Sequence, residues 1–144
     1  MNLEMDLICY GCGVTFEAGL FKPIRNLDFV KPSGGLWTSP VDCSWGWKEW
    51  GEQVGYSDFR TSFNLKFHGK VFEVDDAADL LGVKGETRGS MFSIDFEHLA
   101  DRFDAFHLTA RGEMATRFHD GLSLYGWDCE TVLIFNPDSV RQVS

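Results

Sequence analysis

The run Thr131-Val132-Leu133-Ile134-Phe135 is apolar on both faces. A strand of that kind belongs in the interior of a sheet, covered on two sides, so the rest of the chain must supply its neighbours. At its head stands a carboxylate, Glu130. Burying a charge without a partner is costly. Glu130 therefore either sits at a rim, pairs with a base, or serves a site. Candidate neighbours follow from the pattern. Residues 3–10 and 70–74 have strand character, as do 104–109, and 140–143 adds an edge. Residues 35–40 form a short strand that ends on Pro40, which lacks an N–H. Residues 61–67 alternate, with Phe63, Leu65 and Phe67 on one side and Ser62, Asn64 and Lys66 on the other.

The predicted helices are short. Residues 43–54 place Trp47, Trp50 and Val54 at helical spacing, interrupted by Gly46 and Gly51. Asp76 is expected to cap a helix running through Leu81, with Gly82 as its stop. Asp95 is expected to cap another, with Phe96, Leu99, Ala100 and Phe103 on one face. Residues 11–35 carry scattered glycine and proline without a period. Strands outnumber helices and no linker or repeat interrupts them, which predicts an α+β fold in one domain over residues 1–144.

Composition narrows the function. The 144 residues carry 22 acidic against 13 basic side chains, a formal charge of −9, which disfavours sequence-independent nucleic-acid binding. At 44% apolar and 15% aromatic residues, the chain can bury a core and is not expected to be disordered. No run approaches the roughly 20 apolar residues of a membrane helix. Residues 1–6 hold two acids and no base, so no secretory signal is expected and a cytoplasmic location is. Cys9, Cys12, Cys43 and Cys129 are then expected to be reduced thiols. Cys9 and Cys12 supply half of a zinc pattern, and no histidine lies at ligand spacing, so no metal is expected. His107, between Phe106 and Leu108, is expected to be a satisfied strand histidine. No serine stands in G-x-S-x-G.

Two more segments bear on a site. In Lys31-Pro32-Ser33-Gly34-Gly35-Leu36-Trp37-Thr38-Ser39-Pro40, the paired glycines allow close backbone approach. The segment is either a turn into a strand with Trp37 in the core, or a backbone and aromatic platform for a flat ligand. Its spacing is neither a dinucleotide fingerprint nor a P-loop. Trp45, Trp47 and Trp50 follow directly and are expected to pack behind that strand.

Three blocks together resemble the ADP-ribosyltransferase fold, in particular its small single-domain members from bacteria and their phages. They are Leu7-Ile8-Cys9-Tyr10-Gly11; Gly35-Leu36-Trp37-Thr38-Ser39-Pro40 with the aromatic-rich segment after it; and Phe103-Asp104-Ala105-Phe106-His107-Leu108 with Trp127-Asp128-Cys129-Glu130-Thr131-Val132-Leu133-Ile134-Phe135-Asn136-Pro137. The resemblance implies split, mostly antiparallel sheets with short flanking helices and NAD, the substrate, bound in the cleft. Glu130 is implied as the catalytic glutamate. Tyr10, Gly11, Gly35, Leu36, Trp37, Thr38 and Ser39 are implied as the NAD-binding set, with Ser39 as the serine whose hydroxyl orients the glutamate.

The chain departs from the family at Tyr10, where an arginine or histidine is usual. A phenol offers no charge to a diphosphate, so Lys22, Arg25 or Lys31 is expected to supply it. Asp128 takes the place of the first acid in the arginine-modifying E-x-E pattern and is implied on the acceptor side. The expected activity is mono-ADP-ribosylation of a macromolecule, most readily a protein with a basic surface, by a bacterial toxin or effector or a phage-encoded inhibitor of a host system. The alternative is a non-catalytic acidic protein of the same fold that blocks a basic, nucleic-acid-binding partner. A different small-molecule enzyme or an accessory structural protein has no motif in its favour.

Overall fold

The alternation that begins near residue 61 continues well past its apolar signal. In a computed structural model of the chain, which describes residues 2–17, 19, 21–27, 31–55 and 60–143, the two strands expected at 61–67 and 70–74 are one strand, Ser62–Val74 (β3). His68 and Gly69 do not turn the chain. The Gly69 N–H side is kept extended by Asp104, whose carboxylate accepts the neighbouring Lys70 N–H at 2.8 Å and would crowd any Cβ at 69. Parts of the stretch expected as loop at 11–35, namely 18, 20 and 28–30, lie outside the described residues.

The length of β3 decides the architecture. Its first part forms a long antiparallel ladder with Asn2–Tyr10 (β1), from Asn2 opposite Lys70 to Tyr10 opposite Ser62. Its last part pairs in parallel with Ala105–Leu108 (β6), Val71 opposite Ala105. The remaining pairings are antiparallel: β1 with Leu36–Pro40 (β2), β2 with Thr131–Ile134 (β7), and β7 with β6. The ladder therefore returns to its start, β1–β2–β7–β6–β3–β1, as a small barrel-like sheet. Val140–Gln142 (β8) adds to β3. The class is mixed α and β and the sheet is mostly antiparallel, but in place of the split sheets implied by the resemblance the strands close into one ring, because β3 is long enough to pair with both β1 and β6. β7 is buried along its whole length between β2 and β6, which is the position its composition requires.

Every strand of the ring contributes to its inner core: Leu7 and Cys9, Leu36, Phe63 and Leu65, Ala105, Val132 and Ile134. The second core lies on the outer face of β6 and β7. There Phe106, Leu108 and Leu133 are covered by Leu80 of a 3-10 turn (Ala77–Gly82), Phe96 and Leu99 of α2 (Phe96–Ala100), and Trp127. The two expected aspartate caps are present. Asp76 accepts from the Ala77 N–H and Asp95 from the His98 N–H.

Two larger elements were not expected. One is the hairpin Gly85–Arg88 (β4) and Met91–Ile94 (β5). The other is helix Ala110–Arg117 (α3), which follows α1 (Trp47–Val54) and α2 in the chain. Thr109 caps α3 by accepting the Gly112 N–H at 2.9 Å. Gly112 packs so closely on β3 that a Cβ there would lie 2.0 Å from the Val74 carbonyl oxygen. Helix propensity alone favours alanine over glycine by about 1 kcal/mol. We nevertheless expect Gly112→Ala to destabilise the protein by about 1–3 kcal/mol, since backbone must shift to admit the methyl. The midpoint of urea unfolding measures the sign.

Candidate functional site

Glu130 lies one residue before β7 and His107 lies on β6, in register with Val132. Alternation gives both the facing of Val132 and Ala105, toward the ring interior. There the Glu130 Oε2 and His107 Nε2 atoms are 2.8 Å apart, with the two side chains 14% and 12% exposed. Glu130 thus has a base as its partner, one of the expected outcomes, and His107 is the satisfied histidine expected of it. The pair lines a cleft of about 440 Å³ with Glu4, Met5, Asp6, Pro40, Val41 and Asp42. The main chain of Glu130 is pinned twice. Its N–H donates to the Trp45 carbonyl at 2.9 Å, and its carbonyl accepts the Ser39 hydroxyl at 3.1 Å.

Ser39 thus holds Glu130 through its main chain, and its hydroxyl does not reach the carboxylate through a hydrogen bond. Its oxygen also accepts the Trp47 N–H at 2.9 Å, which ties α1 to β2. The aromatic segment does pack behind β2. Trp37 meets Trp47 edge-on at 5.9 Å, and Trp47 meets Trp50 at 5.4 Å. Val54, expected on the same face, is exposed.

A second cavity, of about 370 Å³, is lined by Tyr10, Lys31, Pro32, Trp37 and Trp47. The Lys31 ammonium lies 5.5 Å from the Trp47 ring centre. Burial lowers the Lys31 pKa, and Asp128, 3.8 Å away, opposes that shift. Burial raises the Tyr10 pKa, helped by the charge of Glu49, so the phenol stays protonated and able to donate. A small hollow, which contains Ser39, Cys43 and Gly46, borders both cavities. It shares Tyr10 and Trp47 with the aromatic cavity and Pro40 and Val41 with the acidic cleft. The three adjoin through these shared residues as a composite groove, cationic and aromatic in one part and acidic in the other. Its two larger parts fall in the size range of small-molecule sites, about 300–1,000 Å³.

The other residues named from the sequence divide by strand alternation. Leu36 and Thr38 face inward. Thr38 is fully buried and its hydroxyl donates to the Val132 carbonyl at 2.7 Å, so neither side chain reaches the groove. Gly35 is explained by packing, because a Cβ there would lie 2.8 Å from the Ile134 carbonyl oxygen. Gly11 donates its N–H to Thr61 at 3.0 Å. Of the three cations proposed to replace a basic residue at Tyr10, Lys31 lines the cavity. Lys22 is used through its carbonyl, which accepts the Gly35 N–H, and Arg25 donates to the Ile24 carbonyl.

The acid implied on the acceptor side is Asp128. It is held between Lys31 and Arg117, the latter at 3.3 Å. Arg117, which sequence reasoning missed, also pairs with Glu113 at 3.1 Å and lies over the Tyr125 ring. Burial raises the Glu113 pKa against the pull of Arg117. The spacing of Glu113 and Arg117, four residues apart in what proves to be α3, was the available signal. Among the described residues no group of three or more His, Cys, Asp and Glu side chains is placed to hold a metal ion, and no helix is long and apolar enough to cross a membrane.

The chain matches no known family model, no curated protein and no solved structure.

Its four thiols differ sharply. Cys12 is exposed, and the Cys9 thiol beside it donates a hydrogen bond that lowers Cys12 to about 7 while Cys9 itself is pushed up. Burial and the charge of Glu130 raise Cys43 to about 11, and burial raises Cys129 to about 12. The thiolate is the reactive form. Iodoacetamide at pH 7.5 should therefore label Cys12 first, at a rate that rises through pH 6–8. The other three should label only at much higher pH or on unfolding, and peptide mass spectrometry reads the order.

Proposed function

We propose that the protein is an NAD-dependent mono-ADP-ribosyltransferase that modifies a macromolecular target, most readily a basic protein surface. The observation that carries this reading is the Glu130 carboxylate, fixed at 2.8 Å from His107 at one end of a groove whose other end offers Tyr10, Trp37, Trp47 and the Lys31 ammonium. In the reaction the bond between the ribose C1′ and the nicotinamide nitrogen breaks, and its electron pair leaves with neutral nicotinamide. The ribose passes through an oxocarbenium-like state, as in glycoside cleavage. A carboxylate beside the ribose hydroxyls stabilises that positive charge. The acceptor's lone pair then forms the new bond to C1′, and its proton goes to solvent. On this reading the nicotinamide ring lies against the indoles, and the ribose bonded to it reaches from there toward Glu130. The departures at Leu36 and Thr38 leave Trp37 and Tyr10 as the members of the implied NAD-binding set whose side chains line the larger cavities of the groove.

The experiment is a tryptophan-fluorescence titration with NAD. We expect saturable quenching at micromolar to millimolar NAD. Trp37→Ala should weaken the apparent affinity roughly 3–10-fold, the value of one aromatic contact. No response up to several millimolar overturns the reading. A second reading is favoured by one observation: Glu4, Asp6 and Asp42 gather with Glu130 at one cleft. A non-catalytic acidic protein that blocks a basic partner needs only that surface. It predicts no NAD response, and loss of partner binding when these acids are reversed in charge.

A further inference from the structure

The reading above gives Glu130 its charge but leaves open what aims it. A glutamate at a strand end has three side-chain torsions to fix, and a barrier reduced by a fixed charge requires that charge to be in place before the reaction. Ser39 does not supply the constraint, because its hydroxyl is committed to the Glu130 main-chain carbonyl and the Trp47 N–H. The acidic cleft narrows the choice to one side chain. Besides Glu130 it is lined by three acids, by Met5, Pro40 and Val41, and by His107. Of these only the imidazole can donate an N–H.

His107 is also well placed to hold still. It lies on β6, paired on one side with β7 opposite Val132 and on the other with β3 opposite Glu73. Glu130 sits just outside β7, on the loop that follows Trp127. The stiff strand therefore carries the donor and the loop carries the acceptor. With Oε2 bound to His107, Oε1 is left to accept from a ribose hydroxyl.

We infer that His107 is the positioning residue that aims the Glu130 carboxylate at the ribose. The inference rests on the transferase reading. Its strength should be that of a hydrogen bond to a charged group, roughly 10–100-fold in rate.

The test is steady-state release of nicotinamide from NAD, with wild type, Glu130→Gln, His107→Leu and His107→Gln, each checked for its melting temperature. Glutamine can place an amide N–H near the position of Nε2, and leucine cannot. We expect His107→Leu to lower kcat roughly 10–100-fold with KM for NAD changed less than about 3-fold, and His107→Gln to recover most of that loss. A purely structural histidine would not give that split or that rescue at matched stability. If wild type is active and Glu130→Gln is not, yet His107→Leu turns over within about 3-fold of wild type, the positioning role is overturned and the transferase reading stands. Equal loss in the folded leucine and glutamine variants likewise overturns it. If wild type neither binds nor cleaves NAD, the transferase reading falls and the inference falls with it.

Discussion

Glu130→Gln is expected to leave the fold intact and to lower NAD turnover roughly 10²–10³-fold, about 3–4 kcal/mol of barrier. The amide keeps the shape of the side chain and can still accept the His107 N–H through its oxygen. What it lacks is the charge that stabilises the oxocarbenium-like ribose. Stability should not fall, because Glu4, Asp6 and Asp42 share the cleft and loss of one negative charge relieves repulsion among them. The measurement is single-turnover nicotinamide release beside a thermal melt. Binding of NAD should survive, so a fluorescence titration of the variant separates lost chemistry from lost affinity. Turnover at the native rate would make Glu130 a structural residue and overturn the proposed activity.

The largest stability effect is expected at Trp127. It is buried against Trp37 at 5.2 Å, Phe106 at 5.2 Å and Phe96 at 5.7 Å. Trp127→Ala should cost about 3–5 kcal/mol, the range for emptying such a position. Trp127→Phe should cost less than half of that, for two reasons. It keeps a ring against all three neighbours, and it removes an indole N–H that is buried without a hydrogen-bond partner. An unmet donor of that kind costs about 1–3 kcal/mol, which offsets part of the lost volume. Urea unfolding of the two variants gives the comparison. The alanine variant should also weaken NAD-dependent quenching, since Trp127 supports the Trp37 ring that lines the aromatic cavity.

Much of the local structure was legible in the chain. The apolar run after Glu130 required a central strand and is one. The alternation near residue 61, the proline at the end of β2 and the aspartate caps each act over a few residues, and each is found where expected. The hairpin β4–β5 was not legible because β4 is exposed throughout, so it carries no buried-face alternation. α3 was missed for a related reason. Its buried positions are Gly112 and Thr116, which give no apolar period. The Thr109 cap was its readable sign.

The site divides in the same way. Glu130 was conspicuous as a carboxylate set against an apolar strand, and Trp37 as an indole beside paired glycines. That Trp37 faces the groove while Thr38 faces the core follows from a two-residue period, but which parity is inside depends on how the sheet closes. That His107 meets Glu130 across 23 residues of sequence depends on the β6–β7 register. The sequence by itself determined where the chain extends, where it caps, and which side chains need partners, because those are properties of neighbouring residues. Only the tertiary structure decided the ring closure through β3, the adjoining cavities that hold Lys31 and Glu130, and the partner of the glutamate. Those arise from long-range strand pairing, whose register is set by the packing of the whole core.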